Sequence, residues 1–207
     1  MSEQTYKLTT IVNSGLWANS YIVFRGQEAL VVDPGRDWEQ ILRFLKANAL
    51  SSVTVVATHG HFDHVEGAAP LVKETGASFW LHRADKELYY HGGNTMDFPY
   101  ERLTRIEWME GGEEFQVGGI PLQVIWTPGH TQGSVCLFTP PYLLSGDTLF
   151  YGSIGRTDLP GATSPPCSAP SRPTFFNFPK RPWSYLVTEN RRHSCSRGRT
   201  TLTCSEP

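Results

Sequence analysis

The stretch THGHFDH, residues 58–64, follows the apolar run VTVVA at 53–57. A short run of this kind, rich in β-branched residues, reads as a buried strand. Its C-terminal end then presents His59, His61, Asp63 and His64 within six positions. A lone histidine is ordinarily a satisfied core or surface residue. Four potential ligands at one strand end are not accounted for in that way. In a turn, alternate residues such as His59 and His61 point into one pocket, while Asp63 and His64 turn toward an adjacent one. Imidazole and carboxylate at this density suit Zn²⁺ or a related first-row metal. The plainer alternative, a helix N-terminus capped by Asp63, leaves three histidines without a purpose.

Two further stretches repeat the arrangement. In TPGHTQGS, residues 127–134, the apolar strand LQVIW delivers His130 into a Pro-Gly turn. In LLSGDTLF, residues 143–150, a strand ends at Gly146 and Asp147 follows at its tip. Each alone is weak: an exposed histidine in a turn, or an aspartate capping the next segment. Together the three share one grammar, an apolar strand whose C-terminal end presents His or Asp beside a glycine. That predicts convergence at one edge of a sheet.

The rest of the chain supplies the frame. YKLTTIV, SYIVFRG and EALVVD read as consecutive strands. Trp38, Ile41, Leu42, Leu45 and Ala49 recur at helical spacing. GAAPLVKETG reads as a short helix ended by Gly76, SFWLH as a strand and ADKELYY as a helical turn. EEFQV, IPLQVIWT, SVCLFT and YLLSGD form a second run of strands. Strand-rich halves separated by helices predict two sheets covered by helices.

Composition narrows the function. The net charge of −2 argues against a general nucleic-acid binder, which needs a basic face. The first ten residues, MSEQTYKLTT, show no apolar run behind a basic stretch, so neither a secretory signal nor a membrane span is expected. None of the four cysteines forms a CxxC pair, and Cys136 in SVCLF reads as a buried thiol. A reducing, cytoplasmic setting is the expectation.

THGHFDH, TPGHTQGS, SGDTLF and GSIGRTDLPGA together resemble the metallo-β-lactamase-fold hydrolases, in the glyoxalase-II-like (hydroxyacylglutathione hydrolase-like) branch. VVDPG, residues 31–35, also fits. The resemblance implies an α/β (α+β) fold, a four-layer αββα sandwich. It implies two divalent metal ions, zinc first, with iron or manganese as alternatives. His59, His61 and His130 would bind one; Asp63 and His64 would bind the other; Asp147 would bridge both, and Asp33 would orient a ligand histidine. Two such ions activate water for attack on a polarised carbonyl, with Asp63 orienting that water as the catalytic carboxylate. The implied reaction is hydrolysis of a small-molecule thioester, or a related ester or amide. Tyr151 and Arg156, just past the metal aspartate, are candidates for the substrate pocket; a structural arginine in a turn is the equal alternative. His82 and His91 stand outside the motif grammar and read as structural or surface residues.

From about residue 164 the character changes. Residues 164–207 hold seven of the 15 prolines and seven Lys/Arg against two Asp/Glu, and no periodic pattern survives. The expected organisation is a folded unit over 1–163 and a basic, proline-rich tail over 164–207, disordered or frameshifted. Read out of frame, residues 168–180 can encode an amphipathic helix, and 182–193 a strand followed by a Ser-His-Gly turn. Those are the closing helix, closing strand and last histidine that the family implies and the sequence lacks; His193 has the wrong surroundings. Two rivals follow. A mononuclear-iron persulfide dioxygenase of the same fold would use His59, His130 and Asp147. An inactive, truncated remnant would hold no stoichiometric metal.

Overall fold

The computed structural model describes residues 6–15, 18–92, 99–150, 153–159, 161–163 and 185–187. The first sheet runs in the order β1 (Lys7–Val12), β2 (Asn19–Arg25), β3 (Glu28–Val32), β4 (Ser52–Val56), β5 (Ser78–His82), β6 (Glu107–Met109). β1, β2 and β3 pair antiparallel as a meander; β3 to β6 pair parallel. The parallel half needs crossovers, and α1 (Trp38–Ala47) and α3 (Ala68–Thr75) supply two of them. Gly76, at φ +69°, ends α3 in the left-handed conformation that a glycine adopts without strain.

Alternation along the strands sorts side chains into two layers. Ile22, Ala29, Val31 and Val55 face the helices, where they meet Ile41, Leu45 and Leu71. Tyr21, Val23, Leu30, Val32 and Val56 face the other way, onto the second sheet. Each Val, Leu or Ile among them, fully buried, contributes about 1.5–3 kcal/mol of transfer free energy.

The second sheet is antiparallel through β7 (Glu114–Val117), β8 (Ile120–Trp126), β9 (Val135–Thr139) and β10 (Tyr142–Leu144). Val117, Ile120, Leu122, Val124, Val135, Leu137 and Leu144 project from it into the shared core. A two-stranded hairpin, β11 (Leu149–Phe150) with β12 (Ser153–Ile154), follows Asp147. Helix layer, sheet and sheet are therefore three layers of the expected αββα sandwich. The closing helix falls outside the described residues. The closing strand was expected to be missing, yet β13 (Tyr185–Val187) pairs in parallel with β10. β6, only three residues long, and the hairpin after Asp147 went unread because neither carries a usable periodicity.

Candidate metal centre

All the chemistry-bearing turns leave the C-terminal ends of strands. Asp33 follows β3, residues 57–64 follow β4, His130 follows β8 and Asp147 follows β10. The 58–64 stretch does enter a helix, α2 (Phe62–Val65), but with no side-chain cap. This single turn of helix lets the chain reverse, so that His64 returns to the pocket lined by His59 and His61; the His59 ring lies against both, rather than on one side as expected.

Two sets of donor atoms lie within 4.8 Å of one another: those of His59, His61 and His130, and those of His59, His64 and Asp147. All five residues are buried. His61 Nδ1 stands 2.9 Å from His130 Nε2. Asp147 divides its carboxylate, with Oδ1 3.5 Å from His64 Nε2 and Oδ2 3.4 Å from His130 Nε2. Asp63 is the open member. Its side chain is 29% exposed, and Oδ2 lies 4.0 Å from His64 Nε2.

Partners on the far side of the His130, His64 and His59 rings bear on which nitrogen carries the proton. His130 Nδ1 donates to the Arg156 carbonyl at 2.7 Å, so its Nε2 faces the pocket as a lone pair. His64 Nδ1 lies 3.0 Å from Asp33 Oδ2, which turns its Nε2 inward. Thr58 Oγ1 donates to Asp33 Oδ2 at 2.8 Å and lies 3.1 Å from His59 Nδ1. His59 Nδ1 then donates to that hydroxyl. Its Nε2 is buried without a hydrogen-bond partner among the described residues. Asp33 thus holds one histidine directly and another through a threonine, a wider role than the one expected. Its own backbone is left-handed, at φ +53°, a region that aspartate enters more readily than most residues because its short side chain hydrogen-bonds locally. The Thr58 amide, donating to Oδ1 at 2.6 Å, helps to fix it there.

The electrostatics agree with a cation site. Burial, then the neighbouring rings of His64, His61 and His130, push the His59 pKa well below its usual range. Burial lowers His130 as well, against the opposing pull of Asp147. Burial would lower His64 too, but Asp33, Asp63 and Asp147 outweigh it and raise its pKa well above 6.5. Several ring nitrogens and a carboxylate converge here, and a cation among them would be held by donors from the separate turns after β4, β8 and β10. A tetrahedral zinc bound at about 2.05 Å holds its donors about 3.3 Å apart. The 2.9–3.5 Å separations here bracket that value. The residues present therefore fit a divalent metal.

Several residues escaped the sequence reading. Asp85, fully buried at the end of a 3-10 turn after β5, accepts hydrogen bonds from Gly60 N, Thr131 Oγ1 and Gly133 N. It obeys the same grammar as the motifs, a polar residue just past an apolar strand, and that signal could have found it. Burial pushes its pKa up, while the three hydrogen bonds oppose the shift. Gly155 is a second. A Cβ there would run into the Asp147 carbonyl and come within 3.2 Å of His130 Cβ. Arg156 touches the site through its carbonyl; its guanidinium is exposed and makes a two-point ion pair with Asp158. Tyr151 lies outside the described residues, as does His193. His82 is buried and stacks on Trp126, and His91 is exposed beside Glu87. Cys136 is a buried free thiol.

Comparison with known proteins agrees with this geometry. The family model of the metallo-beta-lactamase superfamily matches residues 16–188. The probable metallo-hydrolase YqgX of Bacillus subtilis is 30% identical over 156 residues, covering 70% of this chain and 72% of that protein. The crystal structure of TTHA1623 in a di-iron-bound form superposes with a TM-score of 0.65 at 34% identity, covering 74% of this chain and 79% of that one. A hydroxyacylglutathione hydrolase of Idiomarina loihiensis is 33% identical over 129 residues, 62% of this chain but 45% of its own length. The chain belongs to the metallo-beta-lactamase superfamily, and its likeness to a hydroxyacylglutathione hydrolase fits the glyoxalase-II-like branch.

Proposed function

We propose that this chain is a metal-dependent hydrolase that cleaves a small-molecule thioester, working with two divalent ions, zinc first. One observation carries the reading: Asp147 splits its two oxygens between His64 and His130. A carboxylate placed in this way serves two cation positions at once. His59, His61 and His130 would hold the first; Asp63 and His64, with Asp147 shared, would hold the second. When bound, such a pair supplies an acidified water and polarises the scissile carbonyl.

The chain's own residues do the rest. The Arg156 carbonyl fixes the His130 ring proton on its outer nitrogen, and Asp33 lies against the outer nitrogen of His64, so both Nε2 atoms face the pocket; His64, whose pKa the carboxylates raise, gives up a proton when a cation binds. Asp63, at the exposed side, orients the incoming water and takes its proton. A thiolate leaves with little help from an acid, which suits a pocket whose histidines are committed elsewhere. The hydroxyacylglutathione hydrolase relative supports a thioester, although the match spans less than half of that relative. TTHA1623, seen with two irons, supports a two-metal site and keeps iron open as its content. The dioxygenase alternative, one iron on His59, His130 and Asp147, leaves His61 and His64 in the same buried cluster without a task. The setting we assign is cytoplasmic, in keeping with a free buried thiol. No described helix is long and apolar enough to cross a membrane.

The test joins metal analysis to turnover. Purified protein should carry about two ions per chain and hydrolyse S-lactoylglutathione or a simpler thioester. Asp63→Ala and Asp147→Asn should each cost about a hundredfold or more in kcat/KM, beyond the loss usual for residues that only support a ligand. Full turnover in either variant rejects the assignment. A single iron with persulfide-dependent oxygen uptake selects the dioxygenase.

A further inference from the structure

We infer that Asp85 is a positioning residue for the three-histidine cation site: its buried carboxylate ties the loop bearing His59 and His61 to the loop bearing His130, and so sets the gap between their donor atoms. The inference rests on the metal reading above and adds to it a residue outside the ligand motifs.

The contacts are specific. Asp85 Oδ2 accepts from Gly60 N at 2.8 Å, on the peptide between His59 and His61. The same oxygen accepts from Thr131 Oγ1 at 2.7 Å, on the residue after His130. Oδ1 accepts from Gly133 N at 2.6 Å. Thr131 is fixed in turn, since its amide donates to Ser134 Oγ at 2.9 Å. Two glycines make room for the carboxylate. A Cβ on Gly133 would stand 2.6 Å from Asp85 Cγ, and one on Gly60 would stand 3.2 Å from Asp85 Cβ. Both histidine loops therefore carry glycine where Asp85 lies against them.

Energetics argue against a merely structural purpose. A fully buried carboxylate costs several kcal/mol unless its oxygens are well hydrogen-bonded, and apolar packing would fill the same space more stably. No Lys or Arg contacts Asp85 among the described residues; its three hydrogen bonds come from backbone and hydroxyl donors on the two histidine loops. An acceptor-only group suits this place, because every neighbour offers a proton. An asparagine in its place would not be equivalent in kind, since its amide would set a donor against a donor. The substitution Asp85→Asn is thus a sharp probe that hardly alters volume.

Cobalt(II) titration of the full chain, followed by its visible absorption, provides the test. Wild type should take up Co²⁺ in resolvable steps. In Asp85→Asn the three-histidine step should weaken by about 10–100-fold and change its spectrum, as for partners that orient ligands. The Asp147–His64 step should stay in place. A residue that only stabilised the fold would lower the melting temperature without altering Co²⁺ affinity in the molecules still folded. Unchanged affinity and spectrum in folded Asp85→Asn overturn the inference. Should that variant not fold, Thr131→Val removes one of the three hydrogen bonds at constant shape. It should weaken the same step, and an unaltered step there overturns the inference equally. If wild type itself binds no Co²⁺, the metal reading fails and takes this inference with it, an outcome distinct from a variant that binds like wild type.

Discussion

The two sides of the pocket are held by different means. His59, His61 and His130 are buried, and their loops are tied together from behind by Asp85 and by the Arg156 carbonyl. On the other side His64 leans on a single carboxylate, Asp33, and Asp63 stands partly exposed at the mouth. The first side is preorganised before any ligand arrives. The second is the more open side, with a partly exposed carboxylate and a simpler support. Asp147 joins them, and its position depends on a glycine, Gly155, that lies beyond both strand-end motifs.

The strongest way to break this division is Gly155→Ala. The new methyl would overlap the Asp147 carbonyl and press on His130, striking both sides at once. Backbone cannot give way as a flexible side chain does, so the β11–β12 hairpin must shift and carry Asp147 with it. The expected outcome is loss of both ions by metal analysis, with about 1–3 kcal/mol of destabilisation in denaturant melts from overpacking. Retention of two ions and of wild-type stability would show that the junction is soft.

Asp33→Asn sharpens the comparison by loosening the His64 side directly and the three-histidine side only indirectly, through Thr58. Its carboxylate faces His64 Nδ1 and accepts two hydrogen bonds from Thr58. The variant should weaken metal uptake at the His64 position by about 10–100-fold and leave the three-histidine position less affected. The metal-free protein offers a second readout. Burial lowers the His64 pKa and Asp33 raises it, with a net rise above 6.5. A raised folded pKa stabilises the native state fully below the unfolded value, and that stability is lost as pH climbs through the folded one. His59, shifted downward, acts in the opposite sense, so the difference between wild type and variant is the quantity to measure. Chelator-treated wild type should exceed Asp33→Asn in stability by more at pH 6 than at pH 9. A gap independent of pH would mean that Asp33 acts on His64 through shape alone.

How much of this was legible follows from where each role is decided. The clustering of His59, His61, His64, His130 and Asp147 was readable because strand ends, short spacings and donor types are local facts, and the three motifs repeat one grammar. The two sheets were readable because β2 and β3 are short apolar runs and β8 alternates. Asp85 was not read, because its value arises only when two loops, separated by some seventy positions in sequence, meet against it. The strand at 185–187 was not read because its partner edge, not its own pattern, makes it a strand. Thr58 and Gly155 lie inside quoted motifs, yet their roles depend on atoms of Asp33 and Asp147 that sequence cannot place.

Arg156 separates these kinds of information most cleanly, and it carries the smallest predicted effect. Read as a side chain, it is a candidate clamp for a substrate carboxylate. In the fold its guanidinium pairs with Asp158 at 2.9 Å through both Nε and Nη2, out in solvent. What reaches the pocket is its carbonyl, which every amino acid possesses. Arg156→Ala keeps that carbonyl and gives up only an exposed ion pair of little energetic worth. Its kcat/KM on a thioester should therefore stay within about threefold of wild type, with metal content unchanged, since exposed pairs contribute weakly. A tenfold rise in KM for an acidic substrate alone, with kcat preserved, would restore the guanidinium to the pocket.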